Sequence, residues 1–261
     1  MHVNSMKFLN KNELFLLEEV VRRNFSSKYK DSVLGIFWSV LRPFLIMLMF
    51  TIIFSTLFGK TISNFPVYFL SGRCIFDFFN GAVGVSMNSI LGNKSILRRT
   101  AAPKHIFVLG GIISEFLNFL ISLILLAIIM VATNSPFYFL IMPVAIIPIF
   151  SLLIMVTGLG FLLSILATYY TDVKHLWGVL SLLLMYGAAL FYPMDIIPEP
   201  YHQYMVLNPL FWAVDQFRSV IYAGTIPDFL YMLNLLLLSI IILVFGLIVF
   251  KKYKNKVAMK F

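Results

Sequence analysis

The sequence NKSILRRTAAPK, residues 93–104, separates two long apolar stretches of this chain. It contains four cations, no acidic residue and a proline. The residues on either side are almost purely apolar over a length that crosses a bilayer. A short basic helix held between two membrane spans is a segment that a separate cytosolic protein can contact and push. The stretch therefore predicts a membrane domain that is driven by another subunit.

Composition places the whole chain in the membrane. Of its 261 residues, 61% are hydrophobic and 12% are charged, and the mean hydropathy is +0.94, which no soluble domain of ordinary composition approaches. The single cysteine, Cys74, excludes an internal disulfide and a metal cage of cysteines. Residues 1–35 mix acids and bases without the apolar core of a cleavable signal, so we expect the first span to act as an uncleaved insertion signal.

Residues 12–34 have the pattern of an amphipathic helix. Leu14, Leu17, Val21, Phe25 and Tyr29 are three or four residues apart and therefore lie on one face, while charged residues fill the rest. The segment carries too much charge to span a bilayer. We expect it in the cytoplasmic interface, with its cations near anionic head groups. Packing of one face on a partner protein is the alternative.

Six apolar segments predict an all-α membrane protein. The predicted spans are residues 37–58, 66–90, 106–132, 139–167, 176–191 and 231–250. The fourth contains Pro143 and Pro148 and is expected to be kinked. Residues 192–230 hold apolar pieces too short to cross, which favours short re-entrant or interface-lying helices between spans five and six. We therefore predict one transmembrane permease domain over residues 1–261, comprising an interface helix (1–35), a six-span region (36–250) and a lysine-rich tail (251–261).

The distribution of positive charge predicts the orientation. With six spans and both termini in the cytoplasm, seventeen of the 20 Lys and Arg residues fall in inner segments. The other three are Lys60 and Arg218, in outer segments, and Arg73, within a span. This asymmetry follows the positive-inside rule, and it accounts for the net charge of +9 without a nucleic acid partner.

Three ionisable residues lie within predicted spans. Arg73 and Asp77 are four residues apart, so on a helix they share a face and are expected to pair. Glu115 is a candidate functional acid because a charge inside a membrane is costly. It would line a conduit or carry a proton in a secondary transporter, or it would be a structural acid bonded to a neighbouring helix. The residues alone leave these alternatives open.

Nucleotide-binding and catalytic motifs are not complete in this chain. Gly59-Lys60-Thr61 resembles the end of a phosphate-binding loop, but Phe54 stands where that loop needs a glycine. The four histidines are scattered, with no two at metal-ligand spacing. We therefore expect no cofactor on this chain and ATP on another one. A rival hypothesis is a membrane enzyme acting on lipid-linked sugars, whose outer-face acids would be Asp195, Glu199 or Asp215.

Aromatic residues gather in the predicted outer segment between the fifth and sixth spans. Sugars stack on aromatic faces, so the cluster suits a path for a glycan. An interfacial aromatic belt explains it equally well. The residues assigned to an outer gate and glycan path are Tyr192, Tyr201, Tyr204, Phe211 and Trp212.

Short motifs occur in a recognisable order along nearly the whole chain. They are KYKDSVLGIFW at residues 28–38 with Leu41-Arg42-Pro43, Ser71-Gly72 with Phe76 and Phe78-Phe79, YTDVK at residues 170–174, and Phe191-Tyr192-Pro193 with Asn208-Pro209. Together they resemble the membrane subunit of type-2 ABC exporters for polysaccharides and teichoic acids. One departure is Thr171, which stands where the family usually has Arg.

The resemblance implies a homodimeric permease with two separate ATP-hydrolysing subunits, which hold the ATP and magnesium. Its substrate would be an O-antigen, a capsule-like glycan or a teichoic acid on an undecaprenyl-diphosphate lipid. The polymer would move outward across the cytoplasmic or inner membrane of a bacterium or archaeon. Contact with the ATPase is implied for Lys94, Arg98, Arg99, Lys104, Tyr170, Asp172, Lys174 and His175.

Cations near the inner surface are candidates to attract the lipid diphosphate. They are Arg22, Arg23, Lys28, Lys30 and Arg42. Topology and binding of anionic membrane lipid are the alternative explanation, and they account for most of these cations.

Overall fold

The computed structural model describes residues 11–30, 32–58, 62–100 and 102–257. Lys7, the Gly59-Lys60-Thr61 motif and Lys260 lie outside the described residues. Regular structure in the described ranges is helical. The α-helices are α1 (Lys11–Tyr29), α2 (Trp38–Phe58), α3 (Phe65–Gly92), α4 (Lys94–Arg99), α5 (Lys104–Ala132), α6 (Ile146–Tyr169), α7 (Asp172–Tyr186), α8 (Glu199–Val206), α9 (Pro209–Arg218) and α10 (Phe229–Val257).

Five helical runs among the described residues are long and apolar enough to cross a membrane. They are Gly35–Phe54, Phe65–Arg99, Lys104–Ala132, Met142–Tyr169 and Phe229–Lys256. These runs correspond to the first four predicted spans and to the last one. At the predicted fifth span the structure has α7, whose 15 residues extend for roughly 22 Å. The count of six spans is therefore not confirmed by helix length.

α7 lies beside α3 and runs in the opposite direction. Near its start, Lys174 Nζ donates to Asn88 Oδ1 at 2.5 Å, and Trp177 Nε1 donates to Asn80 Oδ1 at 3.3 Å. Just beyond its end, the Ala189 carbonyl lies 3.4 Å from the Tyr68 hydroxyl. The part of α3 between Tyr68 and Asn88 is roughly 30 Å long, the thickness of a bilayer core. α7 and the turn after it thus follow α3 over that length, partly as helix and partly as irregular chain.

Two helix ends differ from the predicted ones. α6 begins at Ile146, after a 3-10 turn over Met142–Ala145. Pro143 belongs to that turn and Pro148 to the first turn of α6, where a missing N–H costs no intrahelical hydrogen bond. The prolines therefore mark a helix start, and the expected kink stays a prediction. α10 continues through the lysines to Val257, so the predicted tail begins as helix.

α3 is the centre of the bundle. It packs on α5 and α6 and is also contacted by α2, α7 and α9. α10 packs most extensively on α6, and two glycines meet there. A Cβ at Gly158 would lie 2.6 Å from Leu243 Cα, and one at Gly246 would overlap the Gly158 carbonyl oxygen. Because these positions carry only hydrogen, the two backbones can touch, which is a common packing mode in membranes.

Aromatic rings join α2 to α3 and to Phe191. Phe50 stacks on Phe69 and Phe191, with ring centroids 5.0 and 4.8 Å apart. Phe54 stacks on Phe65 at 6.1 Å. Large apolar side chains on the rest of α2, such as Ile52, are exposed. In a bilayer these side chains face lipid or another protein, so their exposure costs nothing.

Candidate functional site

The helix predicted for the membrane interface packs lengthwise on the start of α5. Val20, only 3% exposed, fits against Gly110, where an added Cβ would lie 2.5 Å from Val20 Cγ1. A small separate core forms from Val20, Ile106 and Phe107, with Leu16, Leu17, Ile96, Leu97 and Ala102 packed around it. α1, α4 and α5 are therefore one packed unit.

The predicted apolar face of α1 is confirmed for four of its five residues, since Leu17, Val21, Phe25 and Tyr29 are half-buried. Leu14 was placed on the buried face but is 50% exposed, while Val20 was not placed there and is the buried residue. The groove at Gly110 decides the orientation of α1, and a helical pattern read within α1 alone cannot show that groove. The apolar face contacts protein, as the alternative interpretation expected, but the protein is this same chain.

Glu115 forms an ion pair with Lys28 of α1. Lys28 Nζ lies 2.8 Å from Glu115 Oε2 and 2.9 Å from Oε1. Asn118 Nδ2 also donates to Oε2 at 3.2 Å, and the Tyr29 hydroxyl donates to Asn118 Oδ1 at 2.8 Å. Burial raises the pKa of the Tyr29 phenol, which therefore remains a donor. Of the alternatives for Glu115, the bond to a neighbouring helix is present, while a role in a conduit or in proton transfer stays a prediction.

The carboxylate of Glu115 also depends on a small neighbour in α3. A Cβ at Gly81 would lie 3.0 Å from Glu115 Oε2, closer than side chains normally approach. The glycine therefore leaves room for the carboxylate between α3 and α5. Pairing of Arg73 and Asp77 is confirmed, with 2.9 Å between Arg73 Nε and Asp77 Oδ2.

Two cavities lie next to this ion pair. The first, of about 470 Å³, is enclosed by the end of α1, the start of α2 and the facing sides of α3 and α5, and Arg42, Arg73 and Trp38 line it. The second, of about 650 Å³, extends along α3 to Asn93 and is lined by Arg23. Lys28, Asn80, Gly81 and Glu115 line both cavities.

The residues assigned to the ATPase contact lie at one end of the bundle. Arg98 and Arg99 are exposed on α4, and Tyr170, Asp172 and His175 are exposed at the turn between α6 and α7. Lys174 is bound to Asn88 near the same end of α3. The ring of Tyr169 meets that of Tyr253 at 6.3 Å, which brings the end of α10 there as well. Lys94 and Lys104, at the starts of α4 and α5, complete the set.

Other cations predicted to meet lipid diphosphate have different surroundings. Arg22 is exposed and pairs with Glu19 at 2.9 Å. Arg23 Nη2 donates to Asn93 Oδ1 at 2.5 Å, which ties α1 to the junction of α3 and α4. Lys30 is exposed at the end of α1. Only Lys28 and Arg42 of the five line the first cavity.

The aromatic residues assigned to the glycan path are spread over the outer segment. Tyr201 and Tyr204 are exposed on α8, with ring centroids 6.5 Å apart. Trp212 on α9 packs against Tyr231 at 5.9 Å, and Phe211 is half-buried. The Tyr192 hydroxyl donates to the Tyr186 carbonyl. The structure does not bring these five residues together around one described cavity.

Arg218, predicted only as a cation of the outer segment, is buried in the structure. It is 8% exposed, its guanidinium carbon lies 3.7 Å from the centroid of Tyr68, and Nη1 donates to the Ala189 carbonyl at 3.1 Å. A Cβ at Gly72 would lie 2.5 Å from Nη2, so that glycine makes space for the guanidinium. One feature of the sequence could have indicated this burial. Val214 and Arg218 are four residues apart, which places the arginine on the apolar face of α9.

The acids considered for an enzyme do not converge. Asp195 and Glu199 are exposed at the start of the outer segment. Asp215 lies on α9 and interacts with Arg218 and with the Tyr231 hydroxyl. Among the described residues, no group of three or more His, Cys, Asp or Glu side chains is placed to hold a metal ion.

Comparison of the sequence with known protein families identifies the class of protein to which this chain belongs. Residues 16–222 match the ABC-2 type transporter family, which covers the chain from α1 through α9. This chain belongs to the ABC-2 type transporter family. The Lys28–Glu115 ion pair, both cavities and the basic helix α4 all lie inside the matched region.

Curated relatives align with this transporter over most of their length. An O-antigen export system permease protein RfbA of Klebsiella pneumoniae is 27% identical over 244 residues, which is 93% of each chain. The polysialic acid transport protein KpsM of Escherichia coli is 22% identical over 90% of this chain and 92% of its own. The capsule polysaccharide export inner-membrane protein CtrC of Neisseria meningitidis is 18% identical over 91% of each.

Proposed function

We propose that this chain is the membrane permease of an ATP-driven exporter that moves a polysaccharide on an undecaprenyl-diphosphate lipid out of the cytoplasm. The polymer class is O-antigen, capsule-like glycan or teichoic acid. The observation that carries this proposal is the family match, joined to relatives named for O-antigen, polysialic acid and capsule export. The alignment covers nearly the whole of this chain and of each relative, so it includes the segments on which the mechanism depends.

The proposed assembly is a homodimer of this chain with two ATPase subunits, which hold the ATP and magnesium. α4 supports this arrangement because its Arg98 and Arg99 are exposed while Ile96 and Leu97 pack on the core shared with α1 and α5. A push on α4 would therefore move α1 and α5 with it. The exposed apolar faces of α2 and α7 leave room for a second copy.

In the proposed topology the chain crosses six times, with both termini inside, and α8 and α9 form the re-entrant outer segment. Asn208, just before α9, donates from Nδ2 to the Leu184 carbonyl within α7 at 2.9 Å. Tyr222, after α9, lies 3.1 Å from Ser63 Oγ at the outer end of α3. These contacts support the proposal, because α9 begins beside the last turn of α7 and the chain after it reaches the start of α3. A re-entrant helix can seal a wet path between transport steps.

Purification of the tagged chain in mild detergent tests the assembly. We expect a nucleotide-binding subunit to remain bound, with two copies of each chain by native mass spectrometry. Recovery of the chain without an ATPase, from cells that still export the glycan, would overturn the proposal. Glu115 would then be tested for proton coupling, because a secondary transporter needs no ATPase.

Motion of the outer segment predicts a change in labelling at Met205. Met205 is 6% exposed on α8, whereas Tyr201 on the same helix is 58% exposed. We expect Met205→Cys to react with a polar thiol reagent several-fold faster during ATP turnover than without nucleotide. Tyr201→Cys is the matched control and should react at the same rate in both states. Since Cys74 is buried, its background reaction is low. Equal labelling of Met205→Cys in all states would contradict gating by α8.

A further inference from the structure

We propose that the two cavities beside Lys28 form one groove for a phosphate-ester headgroup, and that Lys28 exchanges Glu115 for the phosphate when the headgroup binds. The proposal rests on the proposed function, because the lipid-linked glycan is the ligand that would carry such a headgroup. It adds to that function a binding site for the headgroup, the cations that bind its phosphate, and the ion pair that opens when the phosphate binds.

The ion pair stands at the boundary between the cavities. Four residues line both of them, Lys28, Asn80, Gly81 and Glu115, and two of these four make the ion pair. One cavity extends from there towards Asn93, and the other towards Arg42 and Arg73. Movement of Lys28 away from Glu115 would join them along α3. The groove would then run from the region of α4 to the start of α2.

Cations outnumber carboxylates in the lining of the first cavity. Lys28, Arg42 and Arg73 face it, against the two carboxylates of Asp77 and Glu115. Lys28 and Arg73 are paired with those carboxylates, while Arg42 makes no ion pair or hydrogen bond with any described residue. An unpaired arginine beside two paired cations favours an anion with several acceptor oxygens, as a phosphate ester has. The Trp38 and Tyr29 rings in the same wall suit the adjoining sugar.

Lys28 is the partner that can move. Its side chain is 45% exposed, whereas the Glu115 side chain is 8% exposed. Glu115 would keep its hydrogen bond from Asn118 and its place against Gly81 after the lysine left. Lysine has a flexible four-carbon stem and three donors, so it can turn to a phosphate without movement of α5. Release of Lys28 would also loosen the end of α1, which connects headgroup binding to the unit of α1, α4 and α5.

Two charge-neutralising variants should change affinity in opposite directions. Glu115→Gln removes the competing carboxylate and frees Lys28, so undecaprenyl diphosphate should bind about tenfold tighter. Lys28→Gln removes a phosphate contact, so binding should be about tenfold weaker. An ion pair with only a structural role predicts that both variants lose stability and that neither binds more tightly. Native mass spectrometry of the full chain with its bound subunits, titrated with undecaprenyl diphosphate, measures these affinities.

Matched controls separate the phosphate effect from folding and from bulk charge. Lys251→Gln removes the same charge, but Lys251 is exposed on α10 and lines neither cavity, so this variant should bind undecaprenyl diphosphate within about twofold of the unmodified chain. Arg42→Gln should weaken binding without loss of thermal stability, because Arg42 is exposed and has no partner to lose. This variant keeps the test decisive if Lys28→Gln does not fold.

Two further probes identify the source of the phosphate. Inorganic diphosphate tests a free anion, and phosphatidylglycerol tests ordinary anionic lipid. The proposal requires that Glu115→Gln and Lys28→Gln change the affinity for undecaprenyl diphosphate in opposite directions. It also requires that neither variant changes the affinity for phosphatidylglycerol. Equal changes in affinity for inorganic diphosphate would overturn the claim that the ligand is a lipid. Changes of affinity in the same direction in both variants would overturn the exchange of Glu115 for phosphate at Lys28. Neither outcome depends on export or on recovery of the ATPase, so failure here is distinct from failure of the proposed function.

Discussion

Replacement of both Arg98 and Arg99 by Glu is expected to abolish export while the chain stays folded in the membrane. Both arginines are exposed on α4 and make no ion pair or hydrogen bond with another described residue. The core under α4 is formed by Ile96 and Leu97, which the double substitution leaves in place. Reversed charge against a complementary surface costs several kcal/mol, which corresponds to a loss of about 100-fold or more.

Surface glycan, measured with an antibody on intact cells, reports the export in this experiment. Membrane yield and gel-filtration profile report folding, and recovery of the ATPase subunit reports the contact. The double variant Arg98→Lys with Arg99→Lys preserves both charges and should export near the unmodified level. Undiminished export by the Glu variant would show that α4 does not couple the chain to an ATPase through these charges.

Gly246→Ala is expected to separate α6 from α10 and to leave little folded protein. The added methyl would overlap the carbonyl oxygen of Gly158. A backbone atom cannot relieve such an overlap by rotation, as a side chain can. Overpacking costs about 1–3 kcal/mol when side chains can adjust, so a backbone contact lies at or above the upper end of that range. The loss should appear as a lower unfolding temperature in detergent and a smaller monodisperse peak.

Gly84→Ala is the matched control for this substitution. Gly84 lies inside α3, and a Cβ there would meet nothing within 4 Å. Alanine is also favoured over glycine within a helix by about 1 kcal/mol, so this variant should be as stable as the unmodified chain or more so. If Gly246→Ala and Gly84→Ala unfold at the same temperature, the close packing of α6 on α10 is not needed for the fold.

Several features of the site follow from neighbours in the sequence. Arg73 and Asp77 were predicted to pair because a helix places residues four apart on one face, and they do. The basic stretch at residues 94–99 forms a helix with both arginines exposed, as the charge pattern indicated. The four long spans before α7 and the last one were also found, within a few residues at most ends.

Long-range pairs could not be predicted in this way. Lys28 and Glu115 are 87 residues apart in the chain, and each was assigned a separate role. The burial of Arg218 was not predicted, because a rule that counts charges by segment does not consider the ring of Tyr68 or the space at Gly72. The end of α7 was missed because Gly187 and the turn at Ala189, with φ of 49°, interrupt an apolar run that hydropathy treats as continuous.

Hydropathy and charge are properties of each segment, and for that reason the sequence by itself determined the membrane class, the long spans and the basic helix between two of them. A span is stable in a bilayer through its own apolar surface and its own backbone hydrogen bonds. The partners of the polar residues depend on which helices lie side by side. That arrangement is set by close packing at Gly81, Gly110, Gly158 and Gly246. Only the tertiary structure decided that α1 lies on α5, and thereby that Lys28 and Glu115 stand together between two cavities.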